Sequence, residues 1–142
     1  MDDSGECIFC KIIRREIPTH IIYEDNHCIA LLDAFPVVRG HSLILLKEHR
    51  VNILDADAQD LAALIRVAGV LAPAVMKAAT STGLNLFCNN EKSAGQVVPH
   101  IHFHLVPRRE GDGLALHWKQ SKYKEGEAET VCEKIRSLLA AK

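Results

Sequence analysis

Three histidines alternate with apolar residues in the segment His100-Ile101-His102-Phe103-His104. Successive side chains of a β-strand face opposite ways, so this spacing predicts three imidazoles on one face, about 6.6 Å apart. Ile101, Phe103 and Leu105 would then point into the core. Neutral imidazole is a good nucleophile near pH 7, because its reference pKa lies near 6.5. The segment is therefore a candidate catalytic centre.

The residues alone allow three interpretations of this segment. The structural one is a polar strand face that happens to use histidine, an uncommon residue. The second is a His-x-His metal site of a metal-dependent hydrolase, which would need carboxylate ligands that residues 105–108 do not supply. The third is covalent catalysis, in which one ring nitrogen is held as N–H by a backbone carbonyl while the other attacks phosphorus.

The run from His100 to Val106 resembles the His-φ-His-φ-His-φ-φ signature of the histidine triad nucleotide hydrolases and transferases, where φ is apolar. The resemblance covers roughly residues 6–109. Its other matches are Cys7-Ile8-Phe9-Cys10-Lys11-Ile12-Ile13, Ile17-Pro18, Asp33, Gly40-His41, Asn89 and Gly95-Gln96. It implies a single domain over residues 1–142, with its core at about 6–109 and a C-terminal extension with a helix at about 110–142.

The resemblance also implies a role for each matched residue. His102 would be the nucleophile that becomes nucleotidylated on the α-phosphate, after which water releases a nucleoside monophosphate such as AMP. His100 would orient His102 through its backbone carbonyl, His104 would contact the phosphate or bridging atom, and His41 would support the triad. The matches to substrate-binding positions are Asn89, Gly95, Gln96 and Val97 for the phosphate and leaving group, Asp33 for the ribose, and Ile8, Phe9, Ile12 and Leu31 for the nucleobase.

Two departures from the family pattern bear on the substrate. Val97 stands where many members carry Ser or Thr, so a hydroxyl donor beside the leaving group is absent. The chain also lacks the Trp-Pro-Pro-Gly ending of the phosphoramidase branch and continues through His117-Trp118 into a charged helix, as bacterial-type members do. The resemblance implies a purine nucleotide substrate whose phosphate bears an amine, acyl or second nucleotide group, such as a phosphoramidate, a dinucleoside polyphosphate or a related compound. His104 stands where transferases of the family have Gln, which favours hydrolysis. The rival hypothesis is a nucleotide-binding regulatory module with incidental hydrolysis.

Cys7 and Cys10 form a Cys-x-x-Cys pair. A thioredoxin-like redox motif would follow a strand, and a nucleic-acid zinc finger would have its two histidines three to five residues apart. His49 and His100 could complete a Cys-Cys-His-His site, and some bacterial members of the family carry all four ligands. The resemblance thus implies a structural Zn²⁺ that the chemistry does not need, because four protein ligands leave no open position. Two buried thiols are the alternative.

The elements that position these residues follow from hydrophobic periodicity. We predict strands at 21–24, 28–32, 41–46, 84–88 and 100–106, and amphipathic helices at about 55–80 and 128–139. Pro73 should kink or split the first helix. Strands without a helix after each one favour an α+β antiparallel sheet with helices on one side. The resemblance likewise implies a five-stranded antiparallel sheet with two main helices, and a homodimer.

Charge and composition limit the partners and the cellular location that we expect for this protein. Basic residues number 17 and acidic ones 18, which gives no global attraction to nucleic acid or an anionic membrane. The longest largely apolar stretch, residues 67–76, is shorter than the roughly 20 residues that span a bilayer. The first residues are acidic, which is not typical of a secretion signal. The chain has five cysteines, and this odd number argues against a complete disulfide framework. We therefore predict a cytoplasmic protein without nucleic-acid or membrane partners.

Overall fold

A computed structural model describes residues 5–115 and 118–141, so His117 lies outside the described residues. The strands are β1 (Ile21–Glu24), β2 (Cys28–Leu32), β3 (Ser42–Leu46), β4 (Gly83–Phe87) and β5 (His102–Arg108). The helices are α1 (Ile8–Ile13), α2 (Ala58–Ala78) and α3 (Glu127–Ala140), with a 3-10 turn at Lys92–Ala94. The strands form one sheet in the order β1-β2-β3-β5-β4, and every neighbouring pair is antiparallel. The α+β class and the five-stranded antiparallel sheet are confirmed.

The strand that carries the histidines lies between β3 and the edge strand β4. His102 pairs with Leu45 across β3, while His104 pairs with Leu43 on one side and Phe87 on the other. All five residues of β3 are buried, because both faces of the sheet are covered. His104 is therefore held by a paired strand on each side, and His102 is held by β3.

Two apolar clusters cover the two faces of the sheet. On one face, Ile44 and Leu105 pack with Leu64, Val67 and other residues of α2. On the other, Leu43 and Leu45 pack with α1. The expectation of helices on one side alone is therefore wrong for α1. Six residues are too few to display a helical repeat, so the sequence showed only an apolar opening there.

Helix α2 begins with a reciprocal capping box and runs unbroken through Pro73. The Asp57 carboxylate accepts from the Asp60 N–H at 2.8 Å, and the Asp60 carboxylate accepts from the Asp57 N–H at 3.1 Å. The prediction was a kink or a split at Pro73, and the split is wrong, because the helix is continuous through this residue. Pro73 and Gly69 both lie on the exposed face, where water can bond the Gly69 carbonyl that the proline leaves without a donor.

Among the described residues, α2 is the one helix long and apolar enough to cross a membrane by length and composition, and 33% of its apolar window is buried. Its inner stripe packs on the sheet. Leu64, Val67, Ala68, Leu71 and Val75 are the buried members of this stripe.

Strand β5 begins at His102, two residues later than predicted. The N–H of His100 donates to the Val98 carbonyl at 2.8 Å, and the N–H of Ile101 donates to the Arg50 carbonyl at 2.7 Å. Both groups are thus bonded to loops instead of a neighbouring strand. His100 therefore lies before β5, in a segment shaped by loop contacts.

Candidate active site and metal centre

The backbone of His100 fixes the tautomer of His102. The Nδ1 of His102 lies 2.7 Å from the His100 carbonyl oxygen. A carbonyl oxygen only accepts, so Nδ1 carries the proton and Nε2 presents its lone pair. Burial lowers the pKa of His102, and its side chain is 7% exposed. The imidazole is thus a neutral base with one defined nucleophilic nitrogen.

A second chain of hydrogen bonds fixes the tautomers of His41 and His104. The Val37 N–H donates to Nδ1 of His41 at 3.2 Å, so Nε2 of the neutral ring carries the proton. That Nε2–H donates to Nδ1 of His104 at 2.9 Å, which leaves the His104 proton on Nε2. Burial lowers the pKa of both rings, to about 4 for His104. His104 therefore offers Nε2–H as a donor.

Phe87 holds the plane of the His104 ring. The two rings stack with their centroids 4.5 Å apart and their planes 12° apart. His102 also neighbours His104, at 4.9 Å between centroids. The donor and the nucleophile are thus adjacent, with one ring plane set by an aromatic face.

Asp33 lies beside these histidines at the end of β2. One carboxylate oxygen accepts from the Phe35 N–H at 2.9 Å and so forms a turn. The other lies 3.5 Å from Nε2 of His41. One oxygen of the carboxylate therefore stabilises the turn, and the other faces the histidine cluster.

Ligand atoms of Asp33, His41 and His104 lie within 4.8 Å of one another, as in a metal site. A metal on Nε2 of His41 would require the proton to move to Nδ1. The Val37 N–H already donates to that Nδ1, so the move would set two donors against each other. We interpret this cluster as a hydrogen-bond chain, which disfavours a metal-dependent hydrolase using the same histidines.

Cys7, Cys10, His49 and His100 converge on one point. Nδ1 of His100 lies 3.5 Å from each sulfur, and Nδ1 of His49 lies 3.3 Å from the Cys10 sulfur. A tetrahedral Zn²⁺ with ordinary bond lengths would separate a sulfur and a nitrogen by about 3.6 Å. Nε2 of His100 must carry a proton because it donates to the Leu46 carbonyl at 2.7 Å, so Nδ1 faces the sulfurs with its lone pair. These residues fit a tetrahedral zinc ion.

The loop of residues 89–98 (the 89–98 loop) connects β4 to the histidine segment. Gly95 has a φ of 90°, which favours glycine, and a Cβ there would lie 3.8 Å from the Asn89 amide. Val97 points outward with 90% of its surface exposed. Within the described part of the chain, the backbone N–H groups of Val97 and Val98 have no hydrogen-bond partner. The loop therefore offers two consecutive free donors.

The side-chain amide of Gln96 is fully bonded inside the protein. Its oxygen accepts from the Asn52 amide at 3.3 Å and from the Glu91 N–H at 2.9 Å. Its nitrogen donates to the carbonyls of Val51 at 2.6 Å and Val98 at 3.1 Å. The resemblance implied that the segment of Gln96 holds the phosphate. As placed, the Gln96 side chain shapes the loop and is not itself free to bind.

The residues matched to the nucleobase pocket divide into two groups. Phe9, Ile12 and Leu31 belong to the buried cluster on the α1 face, whereas Ile8 is 47% exposed. The Phe9 ring meets His102 edge-on, with centroids 5.0 Å apart. Phe9 thus joins the apolar cluster to the nucleophile, and Ile8 is the accessible member of the set.

Sequence reasoning missed Asn52, Glu91, Phe87 and the Val37 N–H as parts of the site. Asn52 and Glu91 lie in loops, and their contact joins residues 39 positions apart. No periodicity marks such a contact. The sequence placed Phe87 in a predicted strand but did not indicate that its ring would stack on His104.

The comparisons with known proteins agree with this geometry. A family model described as the HIT domain matches residues 14–111. The adenylylsulfatase HINT3 of Arabidopsis thaliana is 41% identical over 111 residues, or 78% of this chain and 56% of that protein. The chain thus spans little more than half the length of that relative.

Solved structures match the whole fold. The SMU.412c protein of Streptococcus mutans has a TM-score of 0.90 at 36% identity, with 98% of this chain and 87% of that chain covered. A zinc-bound histidine triad family protein of Mycobacterium smegmatis has a TM-score of 0.76 at 33% identity, with coverages of 98% and 99%. The resemblance inferred from the histidine segment is confirmed: the chain belongs to the HIT domain family.

Proposed function

We propose that this chain hydrolyses a purine nucleotide whose α-phosphate carries an amine, acyl, sulfate or second nucleotide group, and that it releases a nucleoside monophosphate such as AMP. The observation that carries this proposal is the hydrogen bond from His102 Nδ1–H to the His100 carbonyl. It leaves one nitrogen, Nε2, as a nucleophile that needs no separate base.

The substrate is held by groups that the fold has already oriented. The free N–H groups of Val97 and Val98 donate to α-phosphate oxygens, and the carboxylate of Asp33 accepts from the ribose hydroxyls. Asn89 belongs to the same loop. Ile8 contacts the base, and Phe9 packs between the apolar cluster and His102.

The reaction then proceeds in two displacements. Nε2 of His102 attacks the α-phosphorus, the new N–P bond forms, and the bond to the leaving group breaks with its electron pair. Nε2–H of His104 donates a hydrogen bond to the bridging atom and stabilises the departing charge, and an amine leaving group takes up a proton from water as it departs. Water next attacks phosphorus, the N–P bond breaks, and His102 regains its lone pair while the proton of the water leaves with the products.

A His102→Ala variant tests the nucleophile. We expect it to fold normally and to lose turnover of adenosine 5′-phosphoramidate and diadenosine polyphosphates. Intact mass spectrometry of protein quenched during turnover should detect one adenylyl group on the wild type and none on the variant. The exposed His20 gives a matched control, because His20→Ala should leave both readings unchanged. Wild-type turnover in a folded His102→Ala protein would refute the proposal.

The leaving group requires a substrate panel. The HINT3 relative is described as an adenylylsulfatase, so adenosine 5′-phosphosulfate belongs beside the phosphoramidate and the dinucleotides. Val97 supplies no hydroxyl donor near the leaving group. We expect the best substrates to be those whose leaving group departs without such a donor. Equal rates across leaving groups of very different basicity would contradict this expectation.

The second candidate is a nucleotide-binding regulatory module, and Val97 is the observation that favours it. A module would bind AMP tightly while releasing negligible product from every substrate of the panel. Parallel measurements of affinity and turnover separate the two candidates.

We also propose a structural Zn²⁺ on Cys7, Cys10, His49 and His100. The sulfur–nitrogen separations and the His100 tautomer support it, and the zinc-bound Mycobacterium smegmatis relative adds support by analogy. Bound there, the ion would supply a cross-link between α1 and the segment before β5. Metal analysis of purified protein, with a Cys7→Ser/Cys10→Ser variant as control, tests the assignment.

A homodimer is proposed from the outer face of α2. Ile65 and Val70 are 51% and 56% exposed there, next to Gly69 and Pro73, which makes an apolar surface on a helix whose other face is in the core. Light scattering should give twice the chain mass for the wild type and the chain mass for Ile65→Asp/Val70→Asp. Ile135→Asp on α3 serves as the control.

A further inference from the structure

We propose that Asn52 is a positioning residue for the substrate phosphate: it holds the 89–98 loop so that the N–H groups of Val97 and Val98 face the α-phosphate. The inference rests on the proposed function, because it states how the same site holds its phosphate. Asn52 lies outside the histidine segment, in the loop between β3 and α2, and it does not touch the substrate itself.

The side chain of Asn52 is buried and uses every polar group it has for loop contacts. It is 2% exposed. Its amide nitrogen donates to the Glu91 carboxylate at 3.0 Å and to the Gln96 amide oxygen at 3.3 Å. Its oxygen accepts from the Leu54 N–H at 2.9 Å. One side chain thus joins the two loops that flank the site.

The residue that Asn52 holds has an unfavourable backbone conformation. Glu91 has a φ of 73° and a ψ of 159°, a region that residues other than glycine rarely occupy. Such a conformation persists only where surrounding contacts enforce it. Here the Glu91 N–H is bonded to Gln96 and the Glu91 carboxylate to Asn52. Without Asn52, the loop loses a contact that opposes its relaxation.

The same contacts lead directly to the phosphate donors and the nucleophile. Gln96, which Asn52 bonds, donates to the Val98 carbonyl at 3.1 Å. That carbonyl also accepts from the His100 N–H at 2.8 Å, and the His100 carbonyl holds the tautomer of His102. A further hydrogen bond joins the same two loops: the Ile53 N–H donates to the Asn90 side-chain oxygen at 2.8 Å. Displacement of the loop therefore moves the free N–H groups relative to His102.

The test compares two ligands that differ by the phosphate. AMP and adenosine share the base and ribose, but only AMP uses the Val97 and Val98 donors. The isosteric variant Asn52→Asp keeps the acceptor for Leu54 and removes both donors, and its charge repels Glu91. We expect calorimetry to show a Kd for AMP raised about tenfold, the equivalent of losing one to two ordinary hydrogen bonds, and an unchanged Kd for adenosine. We also expect kcat to fall.

Two further variants separate positioning from general stability. Asp57→Ala removes the N-cap of α2 in the same connecting loop and should destabilise the fold comparably while leaving the AMP Kd unchanged. Asn52→Asp/Glu91→Gln lets the new amide donate to the new carboxylate and should recover part of the AMP affinity. If Asn52→Asp does not fold, Glu91→Ala removes the same hydrogen bond from the other side and must show the same selective loss of AMP.

Equal losses of AMP and adenosine affinity, or an unchanged AMP Kd in a folded Asn52→Asp protein, would overturn the proposal. A failure of the proposed function is distinguishable, since it would appear as wild-type turnover in His102→Ala or as no binding of either ligand to the wild type. The Asn52 measurements are equilibrium affinities and do not depend on turnover.

Discussion

Replacing Glu91 by alanine and by glycine separates the backbone strain of this residue from its side-chain contact. Both substitutions remove the carboxylate that accepts from Asn52. Only glycine also relieves the φ of 73°. The difference in unfolding free energy between the two variants therefore isolates the strain.

The expected difference follows from two opposing effects. Relief of a strained backbone position contributes about 1–3 kcal/mol, and the greater freedom of unfolded glycine removes about 0.5–1 kcal/mol of that. The centres of these two ranges make Glu91→Gly more stable than Glu91→Ala by about 1 kcal/mol, with an upper limit of about 2.5 kcal/mol. For a chain of this size, about 1 kcal/mol raises the melting temperature by about 3 °C.

Urea unfolding of both variants, followed by circular dichroism, measures this difference. Ala62 on the exposed side of α2 supplies a control of opposite sign, because Ala62→Gly should lose about 1 kcal/mol at an ordinary helical position. If Glu91→Ala is as stable as Glu91→Gly or more so, the backbone at residue 91 is not strained. The role assigned to Asn52 would then lose its physical basis.

Three other predictions concern charge, metal and ribose. Burial lowers the pKa of His104 to about 4. Between pH 6.5 and 4 this histidine is therefore protonated in the unfolded chain but neutral in the folded one, so the folded state loses stability as pH falls through this window. His104→Gln should reduce the drop in unfolding free energy between pH 7 and pH 5 by about 1–2 kcal/mol, and an unchanged drop would contradict the buried neutral ring. Cys7→Ser/Cys10→Ser should lose bound zinc and melt at a lower temperature, whereas brief chelation of the wild type should leave turnover intact; loss of turnover in a chelated protein that stays folded would instead favour metal-dependent chemistry. Asp33→Asn should weaken adenosine binding by about tenfold to a hundredfold, since one charge-assisted hydrogen bond is worth about 1.5–3 kcal/mol, and should leave 2′,3′-dideoxyadenosine binding unchanged. Calorimetry that finds both ligands equally affected would refute the ribose assignment.

Local pattern was sufficient to predict most of the elements. The five strands were predicted to within two residues at each end, because alternation and the turn at Asp25-Asn26 are local properties. Pro73 misled the prediction for α2, since the penalty of a proline in a helix depends on whether its face is exposed. Helix α1 was too short to show a periodicity.

The sequence by itself also determined the chemical inventory of the site. The spacing of His100, His102 and His104, and the pairing of Cys7 with Cys10, identify a candidate nucleophile and a candidate metal site because both are short-range motifs. The family resemblance then extended these to residues far apart in the chain.

Only the tertiary structure decided which atom of each residue is available. The tautomers of His102, His41 and His104 depend on backbone groups that folding brings to them, and the Gln96 amide is consumed by Asn52 and Glu91. The physical reason is that a hydrogen bond between distant residues has no local signature in sequence. The residue types therefore indicate which reactions are possible. The long-range contacts determine which nitrogen attacks and which donors remain free.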